Sequence, residues 1–576
     1  MRAIIVLSLF ISVSLAGKNL GYKKPSMMTS DGIVDGVVYQ VYPRSWMDSD
    51  GDGIGDLRGV ISKLDYLVDS YVDMFWLSPI NTSPMIDFGY DIANFTDIDP
   101  IFGSLKDFEE LVEEAHKRSL KIVVDFVPNH TSDKHKWFDL SVKNIPPYND
   151  YYVWHPGKLL ANGTRVPPNN WIGGLGGTAW TWREERQMYY LHQFAPQEPD
   201  LNFNNDKVVE EMKNVVRFWL ERGVDGVRVD SAIFLIEDTR YLDEPVSGLT
   251  NNSNLYAYLN HIYTTNQPKS LEILHGWREV MNEFEQPKFM MTEAYTNLSM
   301  NMKFYEYGAD FPFNFGFVVD VDKNSKAPDF KKAIDSWMSA MPAGHIPNWV
   351  SGNHDRRRIA TRFGQKRARA VTLMVLLLPG ASVVYNGEEI GMEDTFISWE
   401  DTVDPQGCIA GRDHYMTETR DPQRTPFQWD NSTSAGFSTS SNTWLRVNEN
   451  YKTVNVVSER EDKNSYYNMF LKFAALKKSP NFKRAKLVTK LLNENVFAFS
   501  RETEKYGSVY AVINFGEAKE TVDLSAFDNV PKTLNVYYAS DGASVLDEEV
   551  IYDIKNVQIP PSGFFVLMTP NADFGV

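Results

Sequence analysis

The sequence lacks several features that would each have indicated a particular class of protein. Cys408 is its one cysteine among 576 residues, which excludes an internal disulfide, and a chain of this length buries enough apolar surface to fold without one. Basic residues are outnumbered, because the chain has 58 Lys and Arg but 76 Asp and Glu, and the net charge is therefore −18. Such a surface repels phosphate backbones, so we expect no nucleic-acid partner.

Long apolar runs are also missing. After residue 17 no segment reaches the ~20 apolar residues that span a bilayer, and residues 569–576 carry no hydrophobic tail of the kind that a lipid-anchor signal needs. We therefore expect no membrane anchor. A glycine-rich phosphate loop and a Ser–His pair at a nucleophile elbow are absent as well, which disfavours nucleotide binding and serine-hydrolase chemistry.

The N-terminus has the pattern of a secretory signal. Arg2 precedes an apolar run from Ala3 to Leu15, and two small residues follow as a cleavage site. We expect a signal peptide over residues 1–17 and a secreted, extracellular protein. Asn-x-Ser/Thr acceptors fit that location, and three of them lie in polar stretches that favour glycan attachment: Asn162, Asn251 and Asn431.

The length predicts two or three domains. Eight apolar runs are predicted as buried strands, and most are separated by stretches with apolar residues at three- and four-residue spacing. This alternation indicates the α/β class and an eight-stranded parallel β/α (TIM-type) barrel. The predicted strands are Val37–Pro43, Met74–Ile80, Lys121–Pro128, Gly226–Asp230, Lys288–Ala294, Phe313–Asp320, Asn348–Gly352 and Ser382–Asn386.

Two intervals depart from the alternation. Residues 131–205 are rich in Pro, Asn, Gly, Trp and Tyr and are too long for a connecting loop, so we predict an inserted irregular subdomain after the third strand. Beyond residue 485, short strand patterns without helices indicate a C-terminal antiparallel β-sandwich. The predicted division is a barrel in two parts, 31–130 and 206–485, with the insertion at 131–205 and the C-terminal domain at 486–576.

Four predicted strands end in ionisable residues, and in a parallel barrel these ends all meet on one side. Arg228 and Asp230 are two residues apart, so they share one face of a strand, and the guanidinium would keep the carboxylate ionised and oriented. The alternative for this pair is a buried ion pair that closes the barrel. Glu293 ends an apolar run, where burial raises a carboxyl pKa as a general acid requires.

Each of the remaining polar residues has a structural alternative when it is taken singly. For Glu293, the alternative is an acid at a strand end that caps a loop. For Asp355, which follows Asn353 and His354, the alternative is a turn or helix cap. Their joint occurrence in one barrel favours a shared pocket. A nucleophilic carboxylate and a separate acid/base, ~5–5.5 Å apart, are typical of glycoside chemistry that retains configuration.

The motifs resemble those of the α-amylase superfamily, glycoside hydrolase family thirteen. The resemblance rests on the ordered set 125–130, 226–230, 293 and 353–355, and three segments narrow it to α-glucosidases of the insect maltase and bee type: Tyr39–Ser45, Pro199–Asn202 and Arg424–Trp429. It implies a secreted, retaining, exo-acting α-glucosidase without an organic cofactor. The implied substrates are maltose, sucrose and short α-1,4 oligosaccharides, cleaved from the non-reducing end.

The resemblance also implies residue roles. Asp230 would be the nucleophile, Glu293 the general acid/base and Asp355 the stabiliser of the transition state. Asp87 and Arg424 would close the pocket at the non-reducing end of the substrate. The implied substrate-binding residues are Asp87, Tyr90, His130, Arg228, His354 and Arg424.

Two positions bear on specificity within that family. Glu198 stands where the family often has Gln before the Pro-Asp-Leu-Asn run. Ser231 follows the implied nucleophile, where valine tends to accompany α-1,6 cleavage and smaller or hydroxylated residues accompany α-1,4 cleavage. Ser231 therefore favours substrates of the maltose and sucrose type.

Acids alternate with glycines over residues 48–56, and an oxygen-rich loop of this kind suits a hard cation. An EF-hand is excluded because the twelfth position is Gly59 rather than Glu. The resemblance implies one structural Ca²⁺ or Mg²⁺ site distant from the sugar, and the alternative is a solvated acidic turn. The predicted ligands are Asp48, Asp50, Asp52, Ile54 through its carbonyl, and Asp56.

Two other functions stay open on the sequence. A non-catalytic relative acting as a binding or receptor ectodomain needs a membrane span or anchor and usually has a broken acid triad, neither of which is found in this sequence. A sucrose isomerase or transglycosylase would share the covalent intermediate, and the sequence does not separate it from a hydrolase. The oligomeric state is not specified by any pattern.

Overall fold

The structure is a computed structural model that describes residues 35–543 and 546–575. The predicted signal peptide and residues 31–34 of the predicted barrel lie outside the described residues. Within the described ranges, none of the helices combines the length and the apolar character needed to cross a bilayer.

Eight parallel strands form the central sheet: β1 (Val37–Val41), β2 (Val72–Leu77), β3 (Lys121–Phe126), β4 (Gly226–Val229), β5 (Phe289–Thr292), β6 (Phe311–Pro312), β7 (Asn348–Val350) and β8 (Ala381–Tyr385). They pair in the order β6-β5-β4-β3-β2-β1-β8-β7. The predicted α/β fold with an eight-stranded parallel barrel is therefore confirmed. Their residues are buried almost throughout, because one face lies in the barrel interior and the other lies under helices.

The helices follow the predicted apolar stripes. Ser104 caps the helix Leu105–Lys117, whose buried residues recur at three- and four-residue spacing. The longer helices of the barrel are Leu105–Lys117, Asp206–Glu221, Pro268–Met281, Leu298–Glu306, Ala327–Ala340, Gln365–Leu377 and Tyr466–Lys478. Shorter helices along the chain are Leu57–Ser62, Leu64–Asp69, Lys136–Val142, Ile359–Phe363, Pro405–Ala410, Tyr415–Glu418, Val456–Glu461 and Pro480–Lys483.

The seam between β6 and β7 is joined by a side chain. Asn348 Nδ2 donates to the carbonyl of Pro312 at 2.8 Å, and Asn348 Oδ1 accepts from the backbone N–H of Asn314 at 2.8 Å. Asn348 is fully buried. One amide side chain thus supplies the donor and the acceptor that a longer β6 would have supplied through its backbone.

The sixth strand is the one predicted strand that the structure contradicts. The prediction placed it at Phe313–Asp320, whereas the strand is Phe311–Pro312 and Gly316–Asp320 forms a π-helical turn. An apolar run of this length is ambiguous, because a buried helical turn and a buried strand have similar composition.

The segment 131–205 packs over the carboxyl ends of the strands. It contains the helix Lys136–Val142 and a three-stranded antiparallel sheet of Trp154–His155, Met188–Leu191 and Trp180–Arg183, and a hairpin pairs Lys158–Leu159 with Arg165–Val166. A second excursion, Asn81–Thr82 paired with Asn94–Ile98, lies between β2 and the next helix. The domain boundaries at residues 130, 205 and 485 stay predictions.

The C-terminal part is an antiparallel sheet of six strands with a separate two-stranded ladder. The strands of the larger sheet are, in spatial order, Lys486–Leu491, Val496–Glu502, Ser508–Asn514, Phe564–Met568, Leu534–Ala539 and Val550–Ile551, and the ladder pairs Glu520–Val522 with Val557–Ile559. Phe515 stacks on Phe330 of the barrel at 4.0 Å, and Arg501 donates to the carbonyl of Leu377. These contacts fix the sheet against helices of the barrel.

Candidate active site

A cavity of about 350 Å³ opens at the carboxyl ends of the barrel strands, the side on which β/α barrels hold their active sites. Most of the predicted site residues line it: Asp87, Tyr90, His130, Asp230, Glu293, His354 and Asp355. Arg228 and Arg424 lie behind its wall, and both are fully buried. Motifs that are far apart in sequence therefore converge on one cavity.

Asp230 follows β4 directly, and Arg228 lies within that strand. Arg228 Nη1 donates to Asp230 Oδ1 and, at 2.9 Å, to Asp125 Oδ1 on the neighbouring β3. The shared strand face predicted from the two-residue spacing thus orients the carboxylate of Asp230 by a charge-assisted hydrogen bond. Burial raises the pKa of Asp125 to about 7, against the opposing effect of Arg228.

Ser231 connects two of the three acids. Its hydroxyl donates to Asp230 Oδ2 at 2.7 Å, and its backbone N–H donates to Glu293 Oε2 at 2.8 Å. Its φ of 50° lies in the left-handed region, which non-glycine residues rarely adopt. This backbone conformation turns the N–H of Ser231 toward β5 while its side chain stays on Asp230, so a single residue sets the relative position of both carboxyls.

Glu293 lies directly after β5 and is 8% exposed. Burial, together with the negative charge of Asp230, raises the pKa of the Glu293 carboxyl to about 8. Arg228 Nη2, at 3.7 Å, opposes the shift. A carboxyl with this pKa is protonated at neutral pH, so it is able to donate a proton in the cavity.

Asp355 has the opposite electrostatic environment. Burial alone would raise its pKa, but His354 and the arginines around it hold the pKa well below its usual range. Arg424 Nη2 donates to Asp355 Oδ1 at 2.8 Å, and Arg420 Nη1 is 3.4 Å from the same oxygen. Asp355 therefore stays charged while Glu293 stays protonated, which separates the two carboxyls into an anionic and an acidic role.

Arg420 is a site residue that no sequence pattern indicated. It lines the cavity, and its Nη2 lies 2.6 Å from Asp87 Oδ1 and 2.6 Å from Asp404 Oδ1. Arg424, the residue named from the sequence, is 3.8 Å from Asp87 and instead donates to Asp355 and to the carbonyl of His354. Both arginines belong to one segment after β8. The position of this segment over the barrel, which the sequence does not specify, decides that Arg420 forms the ion pair with Asp87.

His130 and Glu198 form a buried pair beside Asp87. His130 Nε2 is 3.6 Å from Glu198 Oε1, and both residues are at most 2% exposed. Burial lowers the pKa of His130 to about 4, so the imidazole is neutral. Burial and the charges of Asp87 and Asp91 raise the pKa of Glu198 well above its usual value. Glu198 thus contacts the site through His130, with its other oxygen accepting from the N–H of Ala195 at 2.8 Å.

Tyr90 and His354 stack on each other, with ring centroids 5.2 Å apart and an angle of 6° between the planes. Gln40 Nε2 lies 2.8 Å from His354 Nδ1. Because an amide N–H₂ only donates, Nδ1 is the acceptor and the ring proton is on Nε2, which lies 3.4 Å from Asp355 Oδ2. The hydroxyl of Tyr90 donates to Asp125 at 3.2 Å.

A second group of acids lies in the loop 48–56. Carboxylate oxygens of Asp48, Asp50 and Asp56 all lie within 4.8 Å of one another. Asp48 accepts from the N–H groups of Gly51 and Gly53 and from the hydroxyl of Ser438. These hard oxygen donors fit a Ca²⁺ or Mg²⁺ ion. The carboxylate of Asp52 accepts from the N–H of Ile54 at 2.7 Å and is not part of the converging group.

The glycan acceptors differ in exposure. Asn162, Asn251 and Asn431 are exposed, which agrees with attachment but does not test it, whereas Asn81 and Asn129 are buried.

The comparisons with known proteins agree with this geometry. The family model for the α-amylase catalytic domain matches residues 40–485. The chain is 60% identical to "Alpha-glucosidase" of Apis mellifera over 94% of this chain and 95% of that protein. It is 45% identical to "Maltase 1" of Drosophila virilis over 87% and 81% of the two chains, and 44% identical to "Salivary alpha-glucosidase" of Aedes aegypti over 92% and 93%.

Among solved structures, an α-glucosyl transfer enzyme, XgtA, superposes with a TM-score of 0.82 at 31% identity, covering 93% of this chain and 98% of the other. The fold, the convergent acids and these similarities lead to one assignment. The chain belongs to the α-amylase family.

Proposed function

We propose that this protein is a secreted, retaining, exo-acting α-glucosidase that releases glucose from the non-reducing end of maltose, sucrose and short α-1,4 oligosaccharides. The observation that carries the proposal is the convergence of Asp230, Glu293 and Asp355 on one cavity. Ser231 donates hydrogen bonds to the carboxylates of two of these acids, Asp230 and Glu293. The names of the related α-glucosidases and maltases support the activity, and the salivary relatives support secretion.

The first chemical step would use Asp230 and Glu293 together. The carboxylate of Asp230 attacks the anomeric carbon, the glycosidic C–O bond breaks, and the proton of Glu293 passes to the leaving oxygen. In the second step water gives a proton to the Glu293 carboxylate and its oxygen displaces Asp230, which restores both groups. Two displacements at one carbon retain its configuration.

Asp355 and the residues around it would stabilise the charge that develops on the sugar ring. Its carboxylate is held anionic by Arg424 and Arg420, and an anion fixed in place beside an oxocarbenium-like ring lowers the barrier without reorganisation. The ion pair of Asp87 with Arg420 forms one wall of the cavity. A wall at the non-reducing end of the bound substrate, where Asp87 is expected to lie, favours cleavage at the ends of a sugar chain over cleavage within it.

The cation would serve stability. Asp48, Asp50 and Asp56 would hold a Ca²⁺ or Mg²⁺ ion, with the carbonyl of Ile54 completing the set, and none of these four residues lines the catalytic cavity. The ion would neutralise the converging carboxylates and fix the loop that follows β1.

The decisive experiment follows the anomers and the products over time. Hydrolysis of an aryl α-glucoside, which yields a single glucose, should first release α-glucose, as seen by proton NMR before mutarotation, and initial β-glucose would exclude a retaining mechanism. Glucose from maltose, and equal amounts of glucose and fructose from sucrose, with little hydrolysis of isomaltose or of internal bonds of starch, would agree with the proposed specificity.

A transglycosylase is the second candidate, because the α-glucosyl transfer enzyme has the same fold at 31% identity. The two functions share the glucosyl-enzyme and differ in whether water or a sugar accepts the glucosyl group. With sucrose as the donor, transfer releases fructose and only hydrolysis releases glucose. Di- and trisaccharide products that exceed free glucose at millimolar sucrose would therefore favour transfer over hydrolysis.

A further inference from the structure

A second cavity lies beside the catalytic cavity. Its volume of about 780 Å³ exceeds the 350 Å³ of the first and falls in the range of small-molecule sites. Its walls are the segment 294–298 after β5, the π-helical turn Gly316–Asp320 and the helix Ala327–Ala340. Tyr295 and Arg356 line both cavities and so form the partition between them.

The partition is connected to a catalytic acid. The ring of Tyr295 is stacked on Phe315 at 4.2 Å with 8° between the planes, and the guanidinium of Arg356 lies 4.7 Å from the ring centroid of Tyr295. The hydroxyl of Tyr295 accepts from Asn353 Nδ2 at 2.8 Å, and Asn353 Oδ1 accepts from the N–H of Asp355 at 3.0 Å. A ligand that contacts Tyr295 from the second cavity therefore acts on the residues that position Asp355.

The chemistry of the wall indicates the class of ligand. Asn301 lines the second cavity and is 6% exposed, and its Oδ1 has no hydrogen-bond partner among the described residues. Asn301 thus adds to the wall a largely buried amide whose hydrogen-bonding capacity is not fully used.

The charges of the wall cancel. The acids Asp320 and Asp329 are matched by Lys332 and Arg356, and the carboxylate of Asp329 already accepts from the N–H of Lys326. A cavity without excess charge, lined by aromatic side chains and by amide and hydroxyl groups, suits a neutral polyhydroxylated ligand.

We propose that the second cavity is a saccharide-binding site that holds one or two pyranose units separately from the molecule being hydrolysed. The inference rests on the proposed function in one respect, since the saccharides present would be the substrate and the released sugar. Occupancy of this site alters catalysis through Tyr295, Asn353 and Asp355, without the bound sugar reaching Asp230.

The test compares two matched substitutions one helical turn apart. Ser336 lines the second cavity and Ser339, on the same helix, is exposed and does not. Each is changed to Trp in full-length Asp230→Asn protein, and binding of radiolabelled maltose is measured by equilibrium dialysis. We expect two maltose molecules per chain in the parent and in Ser339→Trp, and one in Ser336→Trp.

Crystals of the same proteins soaked in maltose identify the occupied cavities. Maltose in the catalytic cavity alone overturns the second site and leaves the proposed function standing. Maltose in the second cavity alone supports the second site and contradicts the proposed function. Two molecules per chain in a folded Ser336→Trp protein also overturn the inference, because the extra molecule would then bind elsewhere.

A second variant keeps the test decisive if Ser336→Trp does not fold. Val319 lines the opposite wall on the π-helical turn and is 54% exposed, so a larger side chain there extends into the cavity without displacing the core. Val319→Trp should likewise reduce the stoichiometry from two to one.

Discussion

Two clusters of carboxylates in this protein are held in place by different means. In the catalytic cavity the acids are paired with buried arginines: Arg228 contacts Asp230, and Arg424 contacts Asp355. In the loop 48–56, the carboxylates accept hydrogen bonds from backbone N–H groups and from serine hydroxyls. Among the described residues, no lysine or arginine forms an ion pair with Asp48, Asp50 or Asp56.

The difference separates chemistry from stability. Guanidinium groups balance charge inside the barrel and allow neighbouring carboxyls to take different protonation states, so Glu293 is protonated while Asp355 is ionised. Backbone amides fix the loop carboxylates but leave their charge uncompensated, which is the condition under which a hard cation binds. Damage to the first cluster should therefore remove activity, and damage to the second should lower stability.

The largest effect is expected for Asp230→Asn. The variant keeps the shape of the side chain but loses the nucleophile, so kcat on an aryl α-glucoside should fall by about 10⁴-fold or more. The melting temperature should stay within a few degrees. Asp48→Asn, the same exchange in the loop, is the control and should leave kcat nearly unchanged. Near-normal hydrolysis by Asp230→Asn would remove the residue from its proposed role.

Glu293→Gln should show an effect that depends on the leaving group. Poor leaving groups need the proton of Glu293, so hydrolysis of maltose should fall by about 10²–10⁴-fold. An aryl glucoside with an acidic phenol needs little protonation and should lose far less in its first step. Equal losses on both substrates would contradict the acid/base assignment.

Arg420→Met tests the arginine pairing itself. The change leaves Asp87 and Asp404 buried without their partner, which typically costs about 3–5 kcal/mol. We expect a clear loss of stability in denaturant together with a lower kcat/KM. Arg412→Met, in the same segment, breaks only the exposed pair with Glu400 and should cost about 0–1 kcal/mol. Similar losses of stability in the two variants would mean that the buried ion pairs of Arg420 stabilise the fold no more than the exposed pair of Arg412 does.

The pH profile should follow Glu293. Activity requires the protonated carboxyl, so kcat/KM should decline as pH rises through about 8. The raised pKa also makes this residue's contribution to folding stability fall as pH rises from the unfolded value of about 4.3 toward the folded value. The alkaline limb should be absent in Glu293→Gln, and its persistence at the same pH would assign the limb to another group.

Chelation should give the smallest effect, and on stability alone. Removal of a cation from the loop 48–56 should lower the melting temperature by roughly 3–8 °C, with kcat of the surviving folded enzyme unchanged. Asp48→Asn should lower the melting temperature in the same way and make it insensitive to the chelator. A melting temperature that chelation leaves unchanged in the unsubstituted protein would exclude the ion.

Much of the architecture was predictable because it depends on local patterns. Apolar runs and helical stripes located seven of the eight barrel strands to within a few residues. The failure at β6 has a local cause, since buried apolar side chains occur both in the strand, at Phe311, and in the helical turn, at Phe317 and Val318. The inserted subdomain at 131–205 stays a prediction from composition, and composition did not predict the sheet of Trp154–His155, Met188–Leu191 and Trp180–Arg183 within it.

For the site, the sequence by itself determined the chemical inventory: Asp230 with Arg228 on one strand face, Glu293 at the end of β5, and the acids of the loop 48–56. It also gave the family, because these motifs occur in a fixed order. Only the tertiary structure decided the pairings across the barrel, which place Arg420 on Asp87, Ser231 on Glu293 and Glu198 beside His130. The reason is physical: strand position and spacing fix which face a side chain takes, whereas contacts between distant segments depend on how the whole barrel closes and packs.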